Sequence, residues 1–279
     1  MTELQAPKRG KKVLKVPPPN VLETFQGTKQ ERLEQLYDKW YGCTKCPLGK
    51  LRACDGRKDI VFGEGNPDAN ILIIGEAPGE EEEGTGVPFV GKAGQLLNQI
   101  LAITSADPEI REAHAAYSKI SHSEFNMKKI RAFHTMIEEW RHQEFFLTNA
   151  VACRPPENAT PTSEHVKACW DRLWNIIYIV DPWLILACGN SALSAVMRKV
   201  QVKITAARGH IYDVEYPGHV GPVTYPVLPI FHPSYLLRKA DWKEPEGDYA
   251  KTIKDMRTAL ASVDFLRNSY LNIPIPRRG

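Results

Sequence analysis

The run Ile71-Leu72-Ile73-Ile74, followed at once by Gly75-Glu76-Ala77-Pro78-Gly79, constrains the fold most. Four consecutive apolar residues leave no polar face, so a strand built from them must be covered on both sides. That is the situation of a parallel sheet with helices on its two faces. The glycines and the proline then stop the strand and open a loop at its carboxyl end. Phe145 to Val151, Trp183 to Cys188 and Tyr225 to Phe231 read as three further strands, and a short β segment follows Arg208-Gly209-His210. Helical spacing fills the intervals. It is carried by Leu33, Leu36, Tyr37 and Trp40, by Leu96, Leu97, Ile100 and Leu101, by Cys169, Leu173 and Ile176, and by Ile253, Met256, Leu260 and Val263. Thr162 or Ser163 supplies the N-cap of the third of these helices. The alternation predicts an α/β domain. In open parallel sheets ligands sit beyond the carboxyl ends of the strands. The loops after Ile74, around Asn149 and after Phe231 are therefore expected to meet at one site.

The chain has 279 residues, 43% of them hydrophobic, enough for one sizeable core. Its net charge is only +3, from 36 Lys+Arg against 33 Asp+Glu. The distribution says more: Lys8, Arg9, Lys11, Lys12 and Lys15 crowd the N-terminal end, and Arg277 and Arg278 lie at the other. Basic ends suit a polyanion. Residues 1–28, with Pro17-Pro18-Pro19, are expected to form a disordered tail. Residues 29–266 are expected to form the domain, with an insertion at 105–142, and 267–279 a C-terminal tail. There is no apolar leader, and no stretch approaches the ~18 apolar residues that span a bilayer. The expectation is a monomer without membrane contact, in the cytoplasm and associated with DNA.

Six cysteines in a reducing compartment point to metal or cluster binding rather than disulfides. Cys43 and Cys46 form a CxxC pair. Cys153 at a strand end and Cys169 on the next helix can converge with each other. Four thiolates suit zinc or a [4Fe–4S] cluster equally at this point. Cys188, ending an apolar strand, reads as a small hydrophobe, and Cys54, in a loop eight residues after Cys46, as a residue that could compete as a ligand.

The motifs CTKCPLGKLR (43–52), VFGEGNPDANILIIGEAPGEEEEGTGVPFVGKAGQLL (61–97), TNAVACRPPEN (148–158) and HPSYLLR (232–238) together resemble the iron–sulfur, family 4 uracil-DNA glycosylases. The likeness runs from about Leu36 to Leu260. It implies a central four-stranded parallel sheet flanked by helices, and a structural [4Fe–4S] cluster on Cys43, Cys46, Cys153 and Cys169. It implies a pocket lined by Glu76, Ala77, Pro78 and Gly79, with Phe89 stacking on a flipped base, Asn149 reading its edge and His232 facing uracil O2. It implies that Ser234, Tyr235, Leu236, Leu237 and Arg238 form the loop that enters DNA. The chain departs from the pattern at Ala159, where the family usually has Arg. Segment 105–142 and the basic N-terminal extension are additional.

These residue types suit excision of uracil. A base inside a duplex must first be flipped out, at a cost of a few kcal/mol. Stacking on an aromatic face returns roughly 1–3 kcal/mol. Uracil offers an acceptor at O4 and a donor at N3, and one Asn amide complements both. Cytosine reverses that pattern and would leave buried groups unpaired, at about 1–3 kcal/mol each. His232 can donate to the anion that develops on O2. Glu76 can orient water or favour the cationic sugar. Lys92 and Arg238 are candidate phosphate contacts, and Glu80 to Glu83 read as a solvated acidic run turned away from DNA. Two other functions are compatible with this chain: excision of another modified or deaminated base, and DNA binding without catalysis.

Overall fold

The computed structural model describes residues 8–9, 13–57, 59–120, 127–198, 203–239 and 244–270. Its centre is the expected four-stranded parallel sheet. Strands β4 (Ile71–Gly75), β5 (Phe145–Asn149), β6 (Leu184–Cys188) and β8 (Pro222–Ile230) pair in the order β8-β6-β4-β5, all parallel. Their apolar side chains are almost wholly buried, with Leu72, Ile73 and Ile74 at 0% exposure. An antiparallel strand closes each side: β3 (Glu64–Gly65) lies on β5, and β7 (His210–Pro217) on β8. The full order is β1-β7-β8-β6-β4-β5-β3, where β1 is Lys8–Arg9.

Helices cover both faces. Helix α1 (Lys29–Trp40) buries Leu33, Leu36 and Trp40 and starts from a capping box between Thr28 and Glu31. Helix α4 (Lys92–Thr104) buries Leu96, Leu97, Ile100 and Leu101. Helix α8 (Trp170–Val180) is preceded by the single turn of α7 (Ser163–Ala168), and Thr162 is the N-cap of α7. Helix α12 (Asp248–Tyr270) runs past residue 266, where a tail was expected to begin. Arg277 and Arg278 lie outside the described residues.

One expectation is corrected here. The described part of the N-terminal tail is packed, not disordered. Strand β2 (Leu14–Lys15) pairs parallel with β7, and Val16 is buried. Arg198 Nη1 donates to the Pro17 and Pro18 carbonyls, and Asp171 accepts from the Asn20 amide. Proline cannot donate a backbone bond, but its carbonyl accepts one, and this segment is held through its carbonyls. Lys11 and Lys12 lie outside the described residues.

Segment 105–142 forms two helices, α5 (Pro108–Tyr117) and α6 (Met127–Glu144). They share a small core with α4, built on Ile110, Ile130 and Ile137 and on Tyr117 stacked 4.1 Å from Phe133. Helix α6 leads straight into β5.

Candidate active site

All four parallel strands end at one edge, and the functional loops leave from it. Gly75 and Asn149 are register partners at the ends of β4 and β5. A Cβ on Gly75 would lie 2.2 Å from Asn149 Oδ1 and 2.6 Å from Phe89 Cζ. The Asn149 amide and the Phe89 ring edge therefore converge on a backbone that only glycine can supply. Asn149 is 3% exposed and Phe89 5%.

Phe89 sits at φ 60°, the left-handed region, which costs a bulky residue on the order of 1–3 kcal/mol. Its surroundings hold it there. Gly94 lets the Phe89 carbonyl approach to within 1.8 Å of where a Cβ would stand. Arg141, 1% exposed on α6, donates from Nη1 to the Phe89 carbonyl (3.0 Å) and to Asn98 Oδ1 (2.9 Å). Strain held from several sides is common where a side chain must be presented in one orientation.

His232 N-caps the short helix α11 (Pro233–Leu237). Its Nδ1 accepts from the Ser234 amide (3.2 Å) and lies 2.7 Å from Ser234 Oγ. A nitrogen that accepts from an amide carries no proton, so the neutral ring holds its proton on Nε2. Burial, helped by the charge of Arg238, lowers the His232 pKa to about 4, so the ring is neutral at physiological pH. Glu76, half-buried, accepts a 2.7 Å bond from Ser191 Oγ on helix α9 (Gly189–Met197). The loop after β6 thus joins the three loops expected at the site. Its signal in the sequence was Gly189-Asn190-Ser191 directly after an apolar strand.

The remaining predicted residues divide. Ala77 and Gly79 are half-buried beside Glu76, and Lys92 is exposed at the first turn of α4. Arg238 is exposed. Leu236, expected to contact DNA, is fully buried, and Leu237 is the exposed leucine at 47%. Tyr235 is tied through its hydroxyl to Asp248 (2.8 Å), and Ser234 is tied to His232. The exposed residues of this loop are Leu237 and Arg238. The acidic run is also corrected. Glu82 turns inward, and its two carboxylate oxygens accept from the Gly79 (3.0 Å) and Gly91 (2.9 Å) amides. Glu80 and Glu83 pair with Arg154.

The cysteines form a second constellation. Cys46 N-caps helix α2 (Pro47–Cys54), and Cys169 is the N-cap of α8. Cys43, Cys46, Cys153 and Cys169 line one small cavity together with Trp40 and Ile60. Among the described residues no three His, Cys, Asp or Glu side chains gather tightly enough to hold a single metal ion. The four sulfurs instead surround a shared space. Burial, reinforced by Cys169, pushes the Cys153 thiol up to about 11, and burial also raises Cys169.

Two buried arginines flank the cysteines. Arg52 donates to the Cys43 and Arg57 carbonyls (2.8 Å each), and Arg172 lies behind Cys169. The Nε of each has no hydrogen-bond partner among the described residues. Buried cations without carboxylates call for anions nearby. Four metal-bound thiolates would supply them, so the donor set fits an iron–sulfur group. Cys54 closes α2, exposed and not in a loop, and Cys188 is fully buried in β6.

The comparisons with known proteins agree with this geometry. A family model described as the uracil DNA glycosylase superfamily matches residues 62–257. A type-4 uracil-DNA glycosylase of Thermotoga maritima is 36% identical over 211 residues, 76% of this chain and 86% of the relative. One from Pyrobaculum aerophilum is 32% identical over 74% of this chain and 85% of its own length. One from Saccharolobus solfataricus is 30% identical over 86% of this chain and 92% of its own. The chain belongs to the uracil-DNA glycosylase superfamily and, within it, to the type-4 group.

Proposed function

We propose that this chain removes uracil from DNA by hydrolysing the bond between the base and the deoxyribose, with the residues at the sheet edge acting as follows. The single observation that carries the reading is the convergence of Phe89 and Asn149 on the Gly75 backbone. It sets an aromatic edge and an amide side by side, as a stacked and edge-read pyrimidine requires.

Asn149 complements N3–H and O4 of uracil and leaves cytosine with mismatched donors. As the C1′–N1 bond breaks, its electron pair moves onto the base, and charge builds on O2. His232, neutral with its proton on Nε2, donates to that oxygen without carrying a charge of its own. Glu76, held by Ser191, faces the sugar, where a carboxylate favours the developing cation and aligns the water that adds to C1′. The water's proton leaves to solvent or to Glu76. Lys92, Arg238 and exposed Leu237 contact the DNA strand.

Cys43, Cys46, Cys153 and Cys169 hold a [4Fe–4S] cluster. It supplies structure and negative charge at the cysteine site, and no step at the glycosidic bond passes through it. The protein acts as a monomer. Among the described residues no helix is long and apolar enough to cross a membrane.

The test uses oligonucleotides with one uracil, single- and double-stranded, followed by alkaline cleavage of abasic sites. The wild type is expected to cut both, and His232→Ala with Asn149→Ala to cut neither. A folded, iron-loaded wild type that leaves uracil in place would sink the reading.

A further inference from the structure

Arg172 has 0% exposure and lies on the first turn of α8, three residues after Cys169. One edge of its guanidinium is spent on the end of β5. Nη1 donates to the Phe62 carbonyl (2.9 Å) and to Thr148 Oγ1 (3.1 Å), and Nη2 donates to the Asn149 carbonyl. Thr148 Oγ1 in turn donates to the Phe62 carbonyl at 2.6 Å. The leading groups that favour its charge are the sulfurs of Cys169, Cys153 and Cys43.

We infer that Arg172 is a positioning residue that couples the cysteine site to base selection. It fixes the Asn149 backbone from behind, and its own charge is held in place by the sulfurs on the other side. The inference rests on the uracil reading above.

The argument is one of charge and geometry. A buried guanidinium without a counter-charge is expensive, and the cysteines beside it can supply one. Once bound to iron they are thiolates and carry it. The guanidinium is planar, so fixing its cysteine edge also fixes the direction of the Nη donors. One of those donors, Nη2, ends on the residue whose amide must lie in the plane of the base, and the other ends on its neighbour Thr148 and on Phe62. A tilt at the Asn149 backbone is carried directly to that amide. A lysine keeps the charge but cannot reach three acceptors in one plane.

The experiment compares the wild-type holoenzyme with Arg172→Lys and Thr148→Val, all purified without oxygen. Iron content and thermal midpoint are recorded for each. Three activities are read: inhibition by free uracil, KM and kcat on a uracil oligonucleotide, and affinity for the same oligonucleotide with thymine in place of uracil. Arg172→Lys is expected to keep its iron and to weaken uracil inhibition about tenfold, the lower range for loss of a supporting contact. Its KM should rise with that change, while its affinity for the thymine oligonucleotide stays at the wild-type value. Thr148→Val, nearly isosteric, is expected to weaken uracil inhibition about threefold, as the loss of one hydrogen bond would.

A residue that only stabilises the fold would lower the thermal midpoint and leave uracil inhibition unchanged. Wild-type uracil inhibition in both iron-loaded variants overturns the inference. If Arg172→Lys does not fold, wild-type inhibition in Thr148→Val alone overturns it. The wild-type arm reports on the uracil reading by itself: no uracil released sinks that reading, whereas an active wild type matched by both variants sinks only the role of Arg172.

Discussion

Two buried arginines stand behind the base pocket, and they work from opposite sides of the sheet edge. Arg141, from α6, holds the carbonyl of Phe89; Arg172, from α8, holds the carbonyl of Asn149. Burial lowers the pKa of both. The counter-charges differ. Glu138 and Glu64 favour the charge of Arg141, and the cysteine sulfurs favour that of Arg172. The proposed stacking side is thus supported by carboxylates, and the proposed reading side by a site built on cysteine sulfur. The two halves of base recognition should therefore respond differently to loss of iron.

Gly75→Ala strikes both sides at once and should have the largest effect. Its Cβ would displace the Asn149 amide and the Phe89 ring together. Misplacement on the order of 1 Å can cost about 100-fold in rate. Uracil release should fall by about that factor while iron content holds; a fall of less than tenfold would show that the pocket can rearrange. Next is Arg172→Met, which leaves three acceptors and the cysteine charges without their cation. Breaking a buried charged contact costs about 3–5 kcal/mol, so both denaturant stability and iron content should drop. Arg141→Met should cost less, about 1–3 kcal/mol from the unpaired Phe89 carbonyl and Asn98, and should leave the visible absorbance of the cluster intact. Equal iron loss in the two Met variants would erase the distinction between the sides.

The smallest effect is one of pH. His232 has its pKa lowered to about 4, below the ordinary value of 6.5. The unfolded chain therefore binds this proton before the native one does as pH falls. The contribution of His232 to stability is full above about 6.5 and declines between 6.5 and about 4. Activity needs the neutral ring, so kcat/KM should stay level from pH 8 to about 5 and fall only as pH approaches 4. A fall centred near pH 6.5 would show an imidazole far more open to water than the one described here.

The central strands and the pocket loops were legible because unbroken apolar runs and glycine-rich turns are local signals. Ile71 to Ile74, Asn149 and His232 fell where that reading put them. The arginines were not legible. Arg141 and Arg172 are charges on helices, and the partners that make burial tolerable for them, the carbonyls of Phe89, Phe62 and Asn149 among them, are distant in sequence. That Leu236 is buried and Leu237 exposed was not legible for a related reason. A helix of five residues is too short for periodicity to say which leucine faces inward. Pro17-Pro18-Pro19 read as disorder because the acceptors that hold it in place are carbonyls, which composition does not show.

The two oxygens of Glu82 bind the amides of Gly79 and Gly91, and so pinch the chain at the neck of the excursion between them. Gly84, Thr85 and Gly86 lie at its exposed tip, beyond the pinch. Phe89 lies inside the same closed loop, so length or a reporter dye added at the tip should be felt at the ring. That makes the tip a handle by which the base pocket can be retuned from a distance, by design or by evolution.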